Sequence, residues 1–320
     1  MTKWLGILLA AALGAASAQA QTFPSKTITI VSPAPAGGVT DIIARGLAQR
    51  FSKVWSQQAV VENKPGANNQ IAAEFIVNSP PDGHTLFIAP DGTFVANPSL
   101  YPKLPYDPYK SFTPISGLML INHALIEHPS FPPNNVKELI ELARKKPGEI
   151  NYGTFGIGSS GHLNMALLET MAGVKFQAVH YKGAAPAVND IIAGHIQMGF
   201  VSAGTARPQW KGGKLKLIAV GGKTRLPELP EIPTIAETIP GFEAVSWFGL
   251  FGPAGMPPAV VAKINAEVQA LFADPEFKQT FLDRYMFQSI AGAPEQLMNF
   301  IKAEEPKWRK IIRDAKIKVE

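Results

Sequence analysis

The chain has 320 residues, no cysteine and a formal net charge of +5. Without cysteine it forms no structural disulfide and carries no lipoprotein anchor. Its lysines and arginines are scattered, so the basic stripe that follows a phosphate backbone is absent, and we expect no nucleic-acid partner. The mild positive excess fits a small anionic ligand better.

The first 20 residues predict a signal peptide. Lys3 precedes an apolar run from Trp4 to Ala16, and Ala18-Gln19-Ala20 has the small-x-small pattern of a signal-peptidase site. The alternative is a membrane anchor, but about 13 apolar residues are too few for a bilayer, which needs about 20. We therefore expect export to the periplasm, cleavage near Ala20 and a mature chain that begins at Gln21.

The next segment predicts a β-α-β-α-β series. Alternating β-branched residues indicate strands at 26–32, 59–62 and 85–89, and apolar residues at helical spacing indicate helices at 42–54 and 71–77. This alternation is typical of a parallel sheet with helices on its faces. Proline-rich connections follow at 97–114, and 115–126 is apolar enough to be a strand that leaves this unit.

The same alternation of helices and strands recurs after the crossing strand. Helices are predicted at 136–145, 162–171 and 185–193, and strands at 150–154, 176–180, 196–201 and 216–220. A strand at 243–251 and helices at 258–273, 275–285 and 294–310 close the chain. A proline in the first turn of a helix costs little, because the N–H that it lacks would have no partner within the helix there.

Two α/β units of this size predict a two-lobed protein, in which each lobe is a sheet flanked by helices. After the signal peptide at 1–20, we place lobe 1 at 21–122, with 242–320 returning to it, and lobe 2 at 123–241. The cleft between such lobes is where a small molecule is expected. We expect the protein to be a monomer.

A glycine pair separates the first strand from the first helix. Gly37 and Gly38 carry no Cβ, so the backbone can approach a ligand closely. The first N–H groups of the helix have no partner within it, and they attract an anion together with the helix dipole. Thr40 adds a hydroxyl to the candidate site, and Asp41 is interpreted as a cap or a loop-orienting residue. The alternative is a tight turn without a ligand.

The second unit contains an independent glycine-rich helix start. The segment YGTFGIGSSGHL leaves a strand and offers Gly158, Ser159, Ser160 and Gly161 at the beginning of a helix. One such start in each lobe is what a cleft needs to hold a dicarboxylate at both of its ends. The segment is not a nucleotide loop, because no lysine follows it and no acid lies at the expected ribose position.

Other lining residues are predicted from the ends of strands, because ligands of open α/β sheets bind beyond the carboxyl ends. Thr93 and Ser202 are candidate hydrogen-bond donors for this reason. Asn68 opens another helix, with turn or cap duty as the alternative. Trp247 is a candidate cleft wall, with core packing as the alternative.

Catalysis and metal binding find little support in the residues. Ser160 and His162 form a possible nucleophile and base, but they lie two residues apart and no G-x-S-x-G elbow is present. The six histidines show neither H-x-x-x-H nor H-E-x-x-H spacing. We predict no catalytic residue, no metal site and no cofactor, and we interpret His162 as a packing, capping or cleft residue.

Six stretches together resemble one known family. They are, in order, PAGGVTDIIAR, VENKPGANNQIAAEFI, YGTFGIGSSGHL, YKGAAPAVNDIIAGHIQM, RLPELPEIPTIAE and WFGLFGPAGMPP. Their order and content resemble the Bug-type, or TctC-like, periplasmic solute-binding proteins of tripartite tricarboxylate transporters, over nearly the whole mature chain.

This resemblance implies a type II, Venus-flytrap periplasmic binding protein fold that closes over a ligand, usually a carboxylate. It also implies integral membrane transporter subunits as partners. The carboxylate-binding loops of the family correspond here to Ala36, Gly37, Gly38 and Thr40 on one lobe and to Ser159, Ser160 and Gly161 on the other.

Three residues depart from the family pattern. Ala34 stands where an aromatic residue is common, so the slot beside Pro35 has more room. His180 replaces a common proline, and His195 stands where Gln or Arg is usual, and both are expected to alter the polar lining of lobe 2.

The sequence therefore predicts a periplasmic receptor that binds a small organic carboxylate and delivers it to a membrane transporter. Two alternatives stay open at this point. One is a sensory binding protein with the same cleft and a signalling partner, and the other is an exported hydrolase that uses Ser160.

Overall fold

A computed structural model describes residues 23–319. The predicted signal peptide at 1–20, its cleavage near Ala20 and the mature start at Gln21 lie outside these residues. Within the described range, no helix has the length and apolar character needed to cross a membrane.

Strands and helices alternate along most of the chain. The strands are β1 (Ile28–Ser32), β2 (Ala59–Asn63), β3 (Thr85–Pro90), β4 (Phe112–Glu127), β5 (Asn151–Thr154), β6 (Gln177–His180), β7 (Met198–Ser202), β8 (Lys216–Val220), β9 (Val245–Pro253) and β10 (Phe287–Ser289). The α-helices are α1 (Val39–Trp55), α2 (Gln70–Val77), α3 (Gly92–Val95), α4 (Asn97–Leu100), α5 (Val136–Lys145), α6 (Ser160–Ala172), α7 (Ala184–Ile192), α8 (Ala203–Lys211), α9 (Pro258–Ala273), α10 (Pro275–Phe277) and α11 (Pro294–Asp314).

The sheet is mixed and runs through both halves of the molecule. Its order is β2-β1-β3-β9-β4-β7-β5-β6, and β8 and β10 also pair with β4. Strands β1, β2 and β3 are mutually parallel, as are β5, β6 and β7, whereas β4 and β9 run antiparallel to their neighbours. The predicted parallel units are therefore present in each half, and both are completed by antiparallel strands.

The long strand β4 joins the two halves. Its residues up to Asn122 pair with β9, and its residues from His123 onward pair with β7. The predicted strand at 115–126 is thus confirmed as a strand that passes from one half to the other. The lobe boundary that we propose, between 122 and 123, falls at this change of partner.

The register of β4 shows that the carboxyl ends of both parallel units meet. On one side Leu120 pairs with Trp247, whose carbonyl oxygen accepts a hydrogen bond from Asp91 N just beyond β3. On the other side His123 pairs with Ser202, the last residue of β7. Three residues of strand separate these points, which is roughly 10 Å. Loops that follow both sets of strands therefore face a common gap.

Three buried apolar clusters support this arrangement. One cluster contains β1, α1 and α9 residues, and another contains the β7, α7 and α8 residues of the second half. The largest cluster holds Phe94 and Trp247 together with Leu163 of α6 and Trp308 of α11. It therefore packs elements of both halves against each other.

Several predicted elements needed correction. The segment predicted as one helix at 275–285 is the short α10 followed by a π-helix, Lys278–Asp283. The last helix continues to Asp314 although Pro306 lies inside it. Helices α3, α4 and α8 and strand β10 were not predicted. They are three to nine residues long, and segments of that length carry too little periodicity to stand out.

Candidate functional site

The first candidate loop lies between β1 and α1, and much of its hydrogen bonding is internal. Gly37 N donates to Asp41 Oδ2 at 2.9 Å, and Gly38 N donates to the Pro35 carbonyl oxygen at 3.2 Å. Gly37 adopts a φ of +85°, a conformation that glycine reaches at low cost. The two amide donors that we expected to face a ligand are therefore already used to shape the loop.

Asp41 holds the loop in place, as its interpretation as a loop-orienting residue required. Its carboxylate also accepts from Arg45 Nε at 2.8 Å and from Asn63 Nδ2 at 3.0 Å. Burial would raise the pKa of Asp41, but the bonds from Arg45, Gly37 and Asn63 outweigh it and hold that pKa below its usual value. The Asp41 carboxylate therefore stays ionised, and its charge is balanced within the loop by Arg45.

The donors that remain open in this loop are the amides of Ala36, Val39 and Thr40. None of them has a partner among residues 23–319, and Gly38 provides no side-chain cap for the helix. The Thr40 hydroxyl accepts from Ser32 Oγ at 3.0 Å and keeps its own proton for donation. An anion at this helix start would meet three amides and one hydroxyl.

The second candidate loop is capped by Ser159. Its Oγ donates to the Gly156 carbonyl oxygen at 2.7 Å and accepts from the amides of Phe155 and His162. The Ser159 side chain therefore serves the loop and not a ligand. Gly158 has a φ of +74°, and its amide donates to His162 Nδ1 at 3.1 Å.

Ser160 is the open residue of this loop. Its hydroxyl and the amides of Ser160 and Gly161 have no partner within the described part of the chain. An added Cβ at Gly161 would lie 3.2 Å from the Phe155 ring, which explains why glycine fits there. The start of α6 thus offers two amides and one hydroxyl.

His162 and His180 stand beside this loop as a pair of neutral imidazoles. Their ring centroids are 5.0 Å apart, and His180 Nδ1 lies 2.8 Å from Thr154 Oγ1. Burial, with a smaller contribution from His180, lowers the pKa of His162 to about 4. No bond joins Ser160 to His162 in the described residues, so the pair lacks the contact that a nucleophile and its base need.

Thr93 and Trp247 occupy the edge of lobe 1. Both side chains are buried, and neither Thr93 Oγ1 nor Trp247 Nε1 has a hydrogen-bond partner among the described residues. The Trp247 ring stacks on Phe94 at 5.9 Å and meets Phe300 edge-on at 5.9 Å. The indole therefore packs in the core while its polar atom remains available.

Asn68 and Ser202 have structural partners. Asn68 Nδ2 donates to Asn97 Oδ1 at 2.7 Å, and Asn68 itself adopts a φ of +49°. Ser202 Oγ accepts from Thr205 N at 3.2 Å as the cap of α8. The Asn68 side chain therefore contacts the start of α4, and the Ser202 side chain caps α8.

His195 does not line the predicted edge of lobe 2, in contrast to our expectation. It precedes β7, so it lies at the amino ends of the parallel strands, and its Nδ1 is 3.2 Å from Asp190 Oδ1. His180 is the last residue of β6 and does lie at the carboxyl edge.

Sequence reasoning missed a buried polar chain under the gap. His123 Nε2 lies 2.8 Å from Ser246 Oγ, and Ser246 is hydrogen-bonded to the Asp91 carboxyl. Burial raises the pKa of Asp91 to about 6 and lowers that of His123 to about 4. Asp91 was visible in the sequence as the residue after β3, but its partners come from strands far along the chain.

Two further buried amides were also missed. Asn122 Nδ2 and Asn164 Nδ2 have no partner among the described residues. Asn122 lies on β4 at the change of partner, and Asn164 lies one turn after Ser160 on α6. The signal in the sequence was an asparagine inside an apolar run, as in INHAL and HLNMALL.

A separate cavity has a volume of about 570 Å³. Its walls are the loop 226–228 of lobe 2 and the segment 272–289 of lobe 1. It contains none of the predicted ligand-binding residues. No cluster of three or more metal-ligating side chains occurs within residues 23–319.

A mixed α/β sheet in two halves that share one long strand is the fold of the periplasmic binding proteins to which this chain is similar. Two solved structures are similar over most of the chain. The R. palustris protein Rpa4515, solved with adipate, is 33% identical with a TM-score of 0.84, covering 93% of this chain and 100% of its own. MatC from Rhodopseudomonas palustris, solved with bound malate, is 31% identical with a TM-score of 0.80, covering 91% of this chain and 100% of its own.

Sequence comparison defines the family. Residues 43–317 match the family model described as "Tripartite tricarboxylate transporter family receptor" (TctC). A protein encoded in the tcbD-tcbE intergenic region of Pseudomonas sp. (strain P51) is 35% identical over 310 residues, which is 96% of this chain and 92% of that protein. The chain belongs to the TctC family of periplasmic solute receptors. The expected family and the two-lobed fold are thereby confirmed.

Proposed function

We propose that the protein is a periplasmic receptor that binds a small organic carboxylate between its lobes and delivers it to a tripartite tricarboxylate-type transporter. The observation that carries this proposal is the pair of open helix starts at α1 and α6. In our assignment they come from opposite lobes, and each combines one hydroxyl with amides that have no partner among residues 23–319.

The chemistry of these groups suits a carboxylate. Each oxygen accepts several hydrogen bonds, and the positive ends of two helix dipoles stabilise its charge without a cationic side chain. The arginine nearest the first loop, Arg45, is already paired with Asp41 at 2.8 Å. A micromolar dissociation constant corresponds to about −8 kcal/mol, which a few charge-assisted bonds and burial in a cleft can supply.

The relatives support the same ligand class. Rpa4515 was solved with adipate and MatC with malate. Adipate and malate are both dicarboxylates. The family is that of periplasmic binding proteins, which supports a binding role for this chain.

Calorimetric titration tests the proposal directly. Adipate, malate, succinate, citrate, aromatic acids and acidic amino acids are the ligands, and 1,6-hexanediol is the matched control for adipate without its charges. We expect at least one acid to bind and the diol to give no heat. If none of the acids gives a binding heat, the proposal is wrong.

A loop variant tests where the acid binds. We expect Gly38→Val to weaken binding, because an added side chain at 38 begins 3.2 Å from the Pro35 carbonyl oxygen and fills the approach to α1. Unchanged affinity in a folded variant would remove this loop from the site. Export and transporter delivery require separate assays, namely periplasmic fractionation and ligand uptake in cells that lack the gene.

A further inference from the structure

Four buried side-chain donors at the inter-lobe edge lack an acceptor among the described residues. They are Thr93 Oγ1, Asn122 Nδ2, Asn164 Nδ2 and Trp247 Nε1. None of these residues is more than 4% exposed. A buried donor without an acceptor carries the full penalty of its lost hydration, so a group of four requires an explanation.

The sheet register places two of these donors side by side. Trp247 pairs with Leu120, and Asn122, two residues after Leu120, pairs with Val245, two residues before Trp247. Side chains two residues apart on a strand point to the same face. Asn122 and Trp247 are therefore diagonal neighbours on one face of the sheet, within reach of a long side chain.

The other two donors belong to the elements that pack on this region. Thr93 directly precedes Phe94, whose ring stacks on Trp247 at 5.9 Å. Asn164 is one turn beyond Ser160 on α6, so the two share a helix face. Leu163, next to Asn164, is buried in the same apolar cluster as Phe94 and Trp247.

The orientation of Asn122 is fixed by its other amide atom. Its Oδ1 lies so close to Gly222 that a Cβ at 222 would clash with it. The NH₂ group therefore points away from Gly222 and has no acceptor in the described residues.

We propose that these four donors form a second polar subsite of the cleft, which receives the distal carboxylate of a dicarboxylate ligand. The inference rests on the proposed function, in which the starts of α1 and α6 hold the first carboxylate. The four side chains are uncharged donors, so they select for acceptor oxygens at the far end of the ligand.

The subsite also depends on both lobes. Thr93 and Trp247 come from the first lobe, Asn164 comes from the second, and Asn122 lies on the strand that joins them. A ligand that bridges these donors adds a second connection between the lobes, which a monocarboxylate of the same length lacks.

Two isosteric substitutions test the subsite. Thr93→Val removes a hydroxyl and keeps the shape of the side chain, and Trp247→Phe removes the indole N–H and keeps an aromatic ring. Trp308→Phe is the matched control, because Trp308 is equally buried and its Nε1 already donates to Glu304 Oε2 at 3.2 Å. The measurements are the dissociation constant and the melting temperature without ligand.

The probe is the dicarboxylate that binds the wild type most tightly in the calorimetric screen, together with its matched monocarboxylate, such as hexanoate for adipate. We expect Thr93→Val and Trp247→Phe each to weaken dicarboxylate binding about 5- to 30-fold and to change monocarboxylate binding less than twofold. The melting temperature of Thr93→Val without ligand should not fall, because an unpaired group is removed. Trp308→Phe should leave binding unchanged.

The failure of this inference differs from the failure of the proposed function. If the wild type binds a dicarboxylate and both variants keep its affinity within twofold, the subsite is wrong while the receptor function stands. If both variants lose affinity equally for the dicarboxylate and the monocarboxylate, the donors do not bind the distal carboxylate. The proposed subsite is then also wrong. If no acid binds the wild type, both proposals fail together.

Discussion

Ser159 and Ser160 are neighbours in the chain but have different environments. The Ser159 hydroxyl is used three times within its own loop, whereas the Ser160 hydroxyl has no partner in the described residues. Ser159 therefore stabilises the loop, whereas the Ser160 hydroxyl is available for contact with a ligand.

We expect Ser159→Ala to lower the free energy of unfolding by about 1 kcal/mol, the usual cost of a lost helix cap. We expect Ser160→Ala to leave stability unchanged and to weaken carboxylate binding about 5- to 10-fold, because one hydrogen bond to a charged group is lost. Urea unfolding and calorimetry of both variants measure this contrast. The reverse pattern would show that the two roles are assigned wrongly.

Asp91 gives a prediction on pH. Burial raises its pKa from 3.8 to about 6, so the folded protein holds a proton that the unfolded chain has released between these values. Its contribution to stability is complete below about pH 4 and is lost as the pH rises through 6. We expect Asp91→Asn to be less sensitive to pH between 4 and 7 than the wild type, measured by urea unfolding. Parallel stability curves would contradict this.

At the residue scale, the sequence predicted the two loops as helix starts, but it did not predict which of their hydrogen-bonding atoms are used within the loops. The loops and the strand-end position of Thr93 follow from local patterns. The engagement of Gly37 depends on the Asp41 side chain, which Asn63 from another strand also orients. Such contacts depend on tertiary geometry, which the pattern of one segment does not contain.

At the scale of elements, long amphipathic helices and β-branched strands were predicted well, since each carries many periods. Helix α8 was missed because its nine residues, AGTARPQWK, contain glycine and proline and bury only Ala203 and Ala206. Its position matters, because its start touches lobe 1. A Cβ at Gly204 would clash with the Tyr285 carbonyl oxygen.

We expect Gly204→Ala to impair lobe closure and to weaken ligand binding by about tenfold or more, because the clash is with backbone and the lobes must separate to relieve it. Gly46→Ala is the control, since its added methyl group meets only the edge of the Phe277 ring, at 3.0 Å. Calorimetry and small-angle X-ray scattering of both variants with ligand measure affinity and closure. Equal affinity and equal radius of gyration for Gly204→Ala and wild type would contradict this role.

At the scale of the whole molecule, the fold explains why two distant loops can act together. Strand β4 brings the carboxyl ends of two parallel units to within a few residues of each other, at Leu120 and His123. The sequence predicted both units and the crossing strand. It did not predict the shared apolar cluster of α6 and α11, because the contact between them joins segments far apart in the chain.

The central claim is that backbone amides from both lobes hold one acidic ligand. A crystal structure of the protein with its tightest dicarboxylate tests this most directly. We predict carboxylate oxygens at about 3 Å from amides of Ala36, Val39 or Thr40 and from those of Ser160 or Gly161. A ligand bound by one lobe alone, or seated in the cavity between 226–228 and 272–289, would contradict it.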